Sequence, residues 1–455
     1  LPKDLKIQSK KPLQGGKVRR KPLFSLVTLA LLAAGALSAA EEKPEGKKAP
    51  RFKLSFMERI RQESWDNTTG LNDGAADSSA YLRLRTSLGA QWRPGASWEA
   101  NLRLTNETRY YMAPKADPKL KENYGINELF VDQLNVRWQG RPGLPLTVTV
   151  GRQDMQFGEG FLIMDGGALD GSRSAYFNAL RLDYAFRAKD ALTFFFMRQP
   201  RNDTLLPRLN DVQQALTEQE EQGIGLYYAG RLKKTGLEAY LFRKDAFAYG
   251  SLPAGAIHVL GARLSHPFNA TLSLTGEGAL QLGTLGDASR RGLGGYAHLD
   301  YKSAWRFPLP MQFTLGGIYL SGDDPASERC ESWDPAFSRW PKWSDSLIYL
   351  LARETRVADW TNLVSLYATL VFEPLEKVRL TLSGHHLLAD QKTGPSALLS
   401  GSGRGRGELL IARINYEIGK NFTGRLIWEG FWPGDFYVRN ASPYSWVQFE
   451  MFFRF

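Results

Sequence analysis

From Phe52 onward the chain alternates between apolar and polar positions. About 18 segments of roughly 9–14 residues are apolar on one parity and polar on the other, and helical spacing is almost absent. The final one, Ser445–Phe455, is the clearest. Val447, Phe449, Met451, Phe453 and Phe455 fall on one face; Trp446, Gln448, Glu450, Phe452 and Arg454 fall on the other. Tyr81–Trp92 sets Leu82, Leu84, Leu88, Ala90 and Trp92 against Arg83, Arg85, Ser87 and Gln91. Trp98–Tyr110 sets Trp98, Leu102, Leu104 and Tyr110 against Glu99, Asn101, Arg103, Glu107 and Arg109. Asn362–Phe372, Val378–His385, Gly407–Ile418 and Phe422–Trp432 repeat the pattern. One such strand suits a soluble sandwich as well as a membrane barrel. Their number, and a length near the ~9–11 residues a membrane strand needs, favour the barrel.

The connections point the same way. Short turns (Arg93–Ser97, Arg187–Lys189, Leu232–Thr235, Gly419–Asn421) alternate with longer loops at Asp66–Ser78, Met112–Gly125, Gly158–Phe177, Pro200–Glu221, Gly322–Thr361 and Gln391–Gly403. That asymmetry predicts an all-β, transmembrane antiparallel β-barrel of about 18 strands, with short periplasmic turns and long extracellular loops. Trp65, Trp92, Trp98, Tyr110, Trp138, Trp305, Trp428 and Trp432 lie near predicted strand ends, where a lipid–water girdle sits. A barrel of this size is expected to have no apolar core.

Ahead of the barrel, Lys17, Arg19, Arg20 and Lys21 precede an apolar run from Pro22 to Leu37 and the small residues Ser38-Ala39-Ala40. This reads as an N-terminal extension and signal peptide over 1–40, cleaved after Ala40, with a flexible linker over 41–51 and the barrel over 52–455. Residues 1–40 hold eight Lys and Arg and one Asp, so +7 of the formal +11 lies there. The remainder gives no reason to expect nucleic-acid binding. One cysteine, Cys330, excludes an internal disulfide and a thiolate cage. No apolar stretch of 18 or more follows the signal, so membrane helices are not expected.

Function in an open barrel lives on the lumen face and in the loops. Strand parity places Arg59, Arg61, Arg83, Arg85, Arg103, Arg109, Arg181, Arg413, Arg425 and Arg454 in the lumen, with Arg231, Arg263 and Arg379. Arg152 joins them, although TVTVGRQDMQF does not keep strict phase. Glu63, Glu107, Asp183, Glu417, Glu429 and Glu450 share these faces, so the arginines either pair across strands or select anions. As a set they outnumber the acids, and a guanidinium fork matches a carboxylate.

Two loops stand out. The glycine-rich Gly151–Asn178 is expected to fold inward as a constriction carrying Asp154, Glu159, Asp165, Asp170 and Arg173. Gly322–Thr361 is too apolar to hang in water, and carries Asp334, Phe337, Arg339, Trp340, Lys342 and Trp343. Its aromatics Trp333, Phe337, Trp340 and Trp343 either stack on sugar faces or pack as a lid.

GRQDMQFGEGFLIM with ALDGSRSAYFNALRLDY, WDPAFSRWPKWSD, and WEGFWPGDFYV with the closing strand resemble the bacterial alginate export family from about Phe52 to Phe455. The resemblance implies an 18-stranded barrel whose arginine-lined lumen conducts an anionic polyuronate by diffusion as a monomer, and points first to Arg152 and Arg181. The family's long periplasmic turn before the penultimate strand is missing here, where Gly419-Lys420-Asn421 is minimal. Expected partners are the outer-membrane bilayer, an anionic saccharide, periplasmic secretion components and the barrel assembly machinery, which meets the C-terminal strand. No cofactor and no metal is expected. Two alternatives stand beside export: an uptake porin for small anionic or sugar solutes, and a barrel-embedded hydrolase. For the last, the one nearby nucleophile and base are Ser383 and His385, without a G-x-S-x-G or H-E-x-x-H run.

Overall fold

The computed structural model describes residues 51–74, 78–114, 124–140, 143–165, 176–204, 215–303, 311–338, 343–355 and 360–455, with backbone alone for 124–128 and 165. Its strands in chain order begin with β1 (Phe52–Asp66), β2 (Ser79–Trp92), β3 (Trp98–Ala113), β4 (Tyr124–Gln139) and β5 (Leu146–Gln153). Two short strands follow, β6 (Met155–Gln156) and β7 (Ile163–Asp165). The wall continues through β8 (Phe177–Arg187), β9 (Asp190–Gln199), β10 (Glu221–Leu232), β11 (Thr235–Ala246) and β12 (Gly255–Pro267). Then come β13 (Leu272–Leu285), β14 (Ala288–Lys302), β15 (Met311–Leu320), the short β16 (Phe337–Ser338) and one helix, α1 (Leu347–Thr355). The last are β17 (Leu363–Leu375), β18 (Val378–Leu388), β19 (Gly405–Gly419), β20 (Phe422–Pro433) and β21 (Tyr444–Arg454).

Eighteen of these strands form one antiparallel sheet in which β1 pairs with both β2 and β21, so the sheet closes into a barrel. The register explains the sequence alternation. Ile60 lies opposite Leu84 and Met451 on the outer face, while Arg61 lies opposite Arg83 and Glu450 on the inner one. Leu54, Leu88, Leu102, Val150, Leu260, Leu315 and Leu366 are exposed on the outside. An apolar surface that wide is an aggregation site in water and a lipid-facing band in a bilayer. Among the described residues no helix is long and apolar enough to cross a membrane.

Two-residue turns such as Lys233–Lys234, Glu376–Lys377 and Lys420–Asn421 close the periplasmic end. Lys233 at φ 55° and Lys377 at φ 67° take the left-handed conformation that tight hairpins need. One connection at the opposite end is equally tight, Gly286–Asp287 between β13 and β14.

Two expectations need correction. Trp92, Trp98, Tyr110, Trp428 and Trp432 are exposed, and Trp98 meets Trp138 at 6.4 Å between ring centroids. Trp65 is not part of that girdle: it pairs with Trp446 on the inner parity and packs on Tyr81 and Tyr349. Trp305 lies outside the described residues. The barrel also has an apolar core. Phe161, Leu162, Trp333, Phe337, Leu347, Leu350 and Trp360 from the loops cluster with Phe177, Phe195, Tyr240 and Phe242 from the inner wall. The reason is that β8 to β11 carry aromatics at inward positions, and the loops bring apolar side chains that gain by covering them.

Candidate functional site

The inner face of β1, β2, β3, β20 and β21 carries a lattice of charge. Arg61 meets Glu450 at 2.5 Å and Glu63 at 3.5 Å; Arg83 meets Glu63 at 3.3 Å. Arg85 meets Glu107 at 2.8 Å and Asp132 at 3.4 Å, and Arg59 lies 3.7 Å from Glu107 and 3.8 Å from Glu450. Arg103 binds Asp132 at 2.7 Å and lies 3.5 Å from Asp154. Arg109 reaches the Tyr111 hydroxyl at 3.5 Å and lies over the Tyr81 ring. Tight cross-strand pairing thus balances most of this wall, and desolvated pairs of this kind brace a structure more than they attract a solute.

Arg152 is held most completely. Its guanidinium is bidentate on Asp203 at 2.7 and 3.0 Å, donates to the Val131 carbonyl and Asn178, and lies 3.9 Å from the Tyr176 ring centroid. The broken phase around it comes from Gly151, whose φ of 118° turns the strand so that Arg152 and Gln153 are both buried. Arg181 pairs with Asp183 at 2.9 Å. Arg263 pairs with Glu238 at 2.6 Å and Glu159 at 2.9 Å. Arg379 pairs with Glu373 at the periplasmic rim, Arg231 is exposed at the end of β10, and Arg454 lies over the Phe452 ring.

Arg413 and Arg425 differ. Their nearest common acid is Asp345, 3.9 Å and 4.0 Å away, although Arg425 also reaches Glu450 at 2.8 Å. Arg413 makes no hydrogen bond among the described residues, and its Nε is buried without an acceptor.

Both long loops fold inward. β6 and β7 form a small hairpin, and β7 pairs in parallel with β16 of the second loop, Ile163 opposite Phe337. Phe157 stacks on Tyr227 at 4.4 Å. Asp334 is held by Lys244 at 3.0 Å and Arg290 at 3.2 Å; burial raises its carboxyl, but those two cations outweigh it and hold it below the usual range. Trp333 and Phe337 are buried in the packed plug, whereas Trp343 lines a cavity. Asp170, Arg173, Arg339, Trp340 and Lys342 lie outside the described residues, as does the Asp165 side chain.

The helix follows from its sequence. Leu347, Leu350 and Leu351 make one apolar stripe at helical spacing, and Ser344 Oγ accepts the Leu347 N–H at 3.1 Å as an N-cap. Glu429 on the barrel wall completes the cap, accepting from the amides of Asp345 and Ser346 at 2.8 and 3.1 Å and from the Ser344 hydroxyl at 2.6 Å. At the other end Arg406 binds Glu354 at 2.8 Å. The helix is thus pinned to the wall at both ends.

The cavity beside Trp343, about 280 Å³, is lined by Glu159, Phe161, Tyr296, His298, Asp300, Trp360 and Tyr367, among others. Burial raises the Glu159 carboxyl, but hydrogen bonds from His298 and Arg263 outweigh it and bring it down to about 2. Sequence reading missed Tyr296, His298 and Asp300, although their period-two spacing put all three on one face. It missed Asp132 for a definite reason: an extra residue in β4 opposite Arg103 and Leu104 breaks the alternation. The hydrolase pair is not assembled, since Ser383 bonds to Thr369 at 2.9 Å while His385 meets Ser365 at 3.1 Å and stacks between Trp343 and Tyr367. Among the described residues no cluster of His, Cys, Asp and Glu could hold a metal ion.

Solved structures share this architecture. OpdL of Pseudomonas aeruginosa gives a TM-score of 0.56 at 10% identity, covering 89% of this chain and 98% of that one. P. aeruginosa OccK2 (OpdF), in complex with glucuronate, gives 0.54 at 12%, covering 89% and 97%. P. aeruginosa OccD3 (OpdP) gives 0.52 at 10%, covering 90% and 91%. Identities this low show a shared barrel and nothing about cargo. No significant sequence match is found among curated proteins. The model of the alginate export family matches residues 51–446, nearly the whole chain. With the closed 18-stranded barrel, the lipid-facing band and that match together, the chain belongs to the alginate export family of outer-membrane β-barrels.

Proposed function

We propose that this protein is an outer-membrane channel passing anionic, uronate-like saccharides by diffusion. Arg413 carries the reading: it is an inward guanidinium that makes no hydrogen bond among the described residues and lies 3.9 Å from its one acid, with Arg425 close by. A fork left open in this way suits a carboxylate. The glucuronate in the OccK2 structure belongs to that protein, and it makes a uronate the sensible first solute to try. The reading takes residues 1–40 as a cleaved signal, the barrel as a monomer assembled through β21, and periplasmic secretion components as partners. It includes no catalytic step.

One observation favours the second reading, uptake of short solutes: both long loops fold into the lumen, and α1 is pinned there. Liposome swelling with galacturonate and glucuronate oligomers of increasing length tests both. Uronates entering faster than neutral sugars of equal length support the anionic channel, and equal rates contradict it. Entry confined to monomers and dimers selects uptake over polymer export.

A further inference from the structure

Between the two inward loops and the wall of β14, β15 and β17 lies the 280 Å³ cavity. That is just under the usual ligand-pocket range of ~300–1,000 Å³, so it holds one ring rather than a chain. Its surface has two characters. Phe161, Tyr296, Trp343, Trp360 and Tyr367 present aromatic faces, and Glu159, His298 and Asp300 present polar atoms. Gly316 makes the first possible on one side, since a Cβ there would fall 2.4 Å from the Tyr367 ring.

The polar half is pre-arranged. His298 bridges two carboxylates, with Nδ1 2.9 Å from Asp300 and Nε2 3.4 Å from Glu159. Thr314 donates to Asp300 at 2.7 Å, and Arg263 donates to Glu159 at 2.9 Å. A carboxylate has about four lone-pair sites, so Asp300, with Thr314 and His298 as partners, keeps capacity for further hydroxyl donors.

A pyranose has the matching features: apolar C–H faces for aromatic rings and hydroxyls for the acids. The two carboxylates also orient an acidic sugar, because they repel its carboxylate. One residue, Ser344, separates Trp343 from Asp345, which lies 3.9 Å from Arg413.

We propose that this cavity is a single-ring sugar subsite, which stacks one pyranose of an acidic saccharide on its aromatic faces and turns the ring's carboxylate toward Arg413. The inference rests on the channel reading above and deepens it. The experiment is single-channel block of the refolded barrel by a galacturonate trisaccharide, with benzoate as a hydroxyl-free acid for comparison. Trp343→Ala and the near-isosteric Asp300→Asn should each weaken uronate block by about tenfold, whereas Trp343→Phe retains most of it. Benzoate block should be weak and indifferent to Asp300→Asn. Uronate block equal in wild type and all three variants overturns the subsite while leaving the channel reading standing. Benzoate blocking as well as the uronate also overturns it. A wild type with neither uronate block nor anion preference removes the channel reading itself.

Discussion

Arg152 and Arg413 both point into the barrel, yet they are in different chemical states. Arg152 has its donors satisfied by Asp203, Asn178 and a carbonyl, whereas Arg413 has, among the described residues, one acid 3.9 Å away. Strand parity alone cannot separate them, because it says which way a side chain points and nothing about what it meets. Asp203 comes from a loop 51 residues along the chain from Arg152, a contact no local pattern encodes. Asp154 gives this scale a test. Burial pushes its carboxyl up to about 6, helped by the charge of Asp132 and opposed by that of Arg103. Above that pH the group is ionised and adds a negative charge 3.5 Å from Arg103; below it that charge is gone, while Arg103 stays on Asp132. Anion preference is therefore expected to rise as pH falls from about 7.5 to about 5. Asp154→Asn should show the higher preference throughout and remove most of the step. A wild-type reversal potential that is flat across that range contradicts this.

At the scale of elements, the strands were legible and the loops were not. Alternation survives in β1, β2, β3 and β21 because a barrel wall places each residue in lipid or in lumen, so each position is sorted by solvent. The loop residues face no such choice. Trp333, Phe337 and Trp343 look alike in sequence, yet the first two are buried in the plug and the third lines a cavity. Inward folding was foreseeable from composition; the parallel pairing of β7 with β16 was not, since it joins segments far apart in the chain. The pinning of α1 yields a prediction. Glu429→Ala strips the acceptor from Ser344 and from the amides of Asp345 and Ser346, a loss of roughly 1–2 kcal/mol by comparison with helix caps. Limited proteolysis of the folded barrel should then cut within residues 343–355 faster, and single-channel conductance should increase. Unchanged cleavage and conductance would mean that the apolar face and the Arg406–Glu354 pair hold the helix without Glu429.

For the whole molecule, two features define the account: a closed wall that any outer-membrane barrel shares, and a lumen asymmetric around its circumference. Paired arginines and acids occupy the sector from β1 to β4 and β20 to β21, while aromatics with Glu159, His298 and Asp300 occupy the sector around β14 to β17. Arg413 and Arg425, with Asp345 of the inward loop, stand between them. Barrel class, strand number and loop asymmetry follow from lipid and water acting on every residue, which is why sequence carried them. The aromatic sector depends on how two loops meet inside, and so it became visible only in three dimensions. The most direct test of the central claim is the reversal potential of the refolded barrel in a planar bilayer under a salt gradient, for the wild type and for Arg413→Ala with Arg425→Ala. The account predicts anion preference in the wild type and its marked reduction in the double variant. A cation-selective or unselective wild type, or a selectivity untouched by losing both arginines, would contradict it.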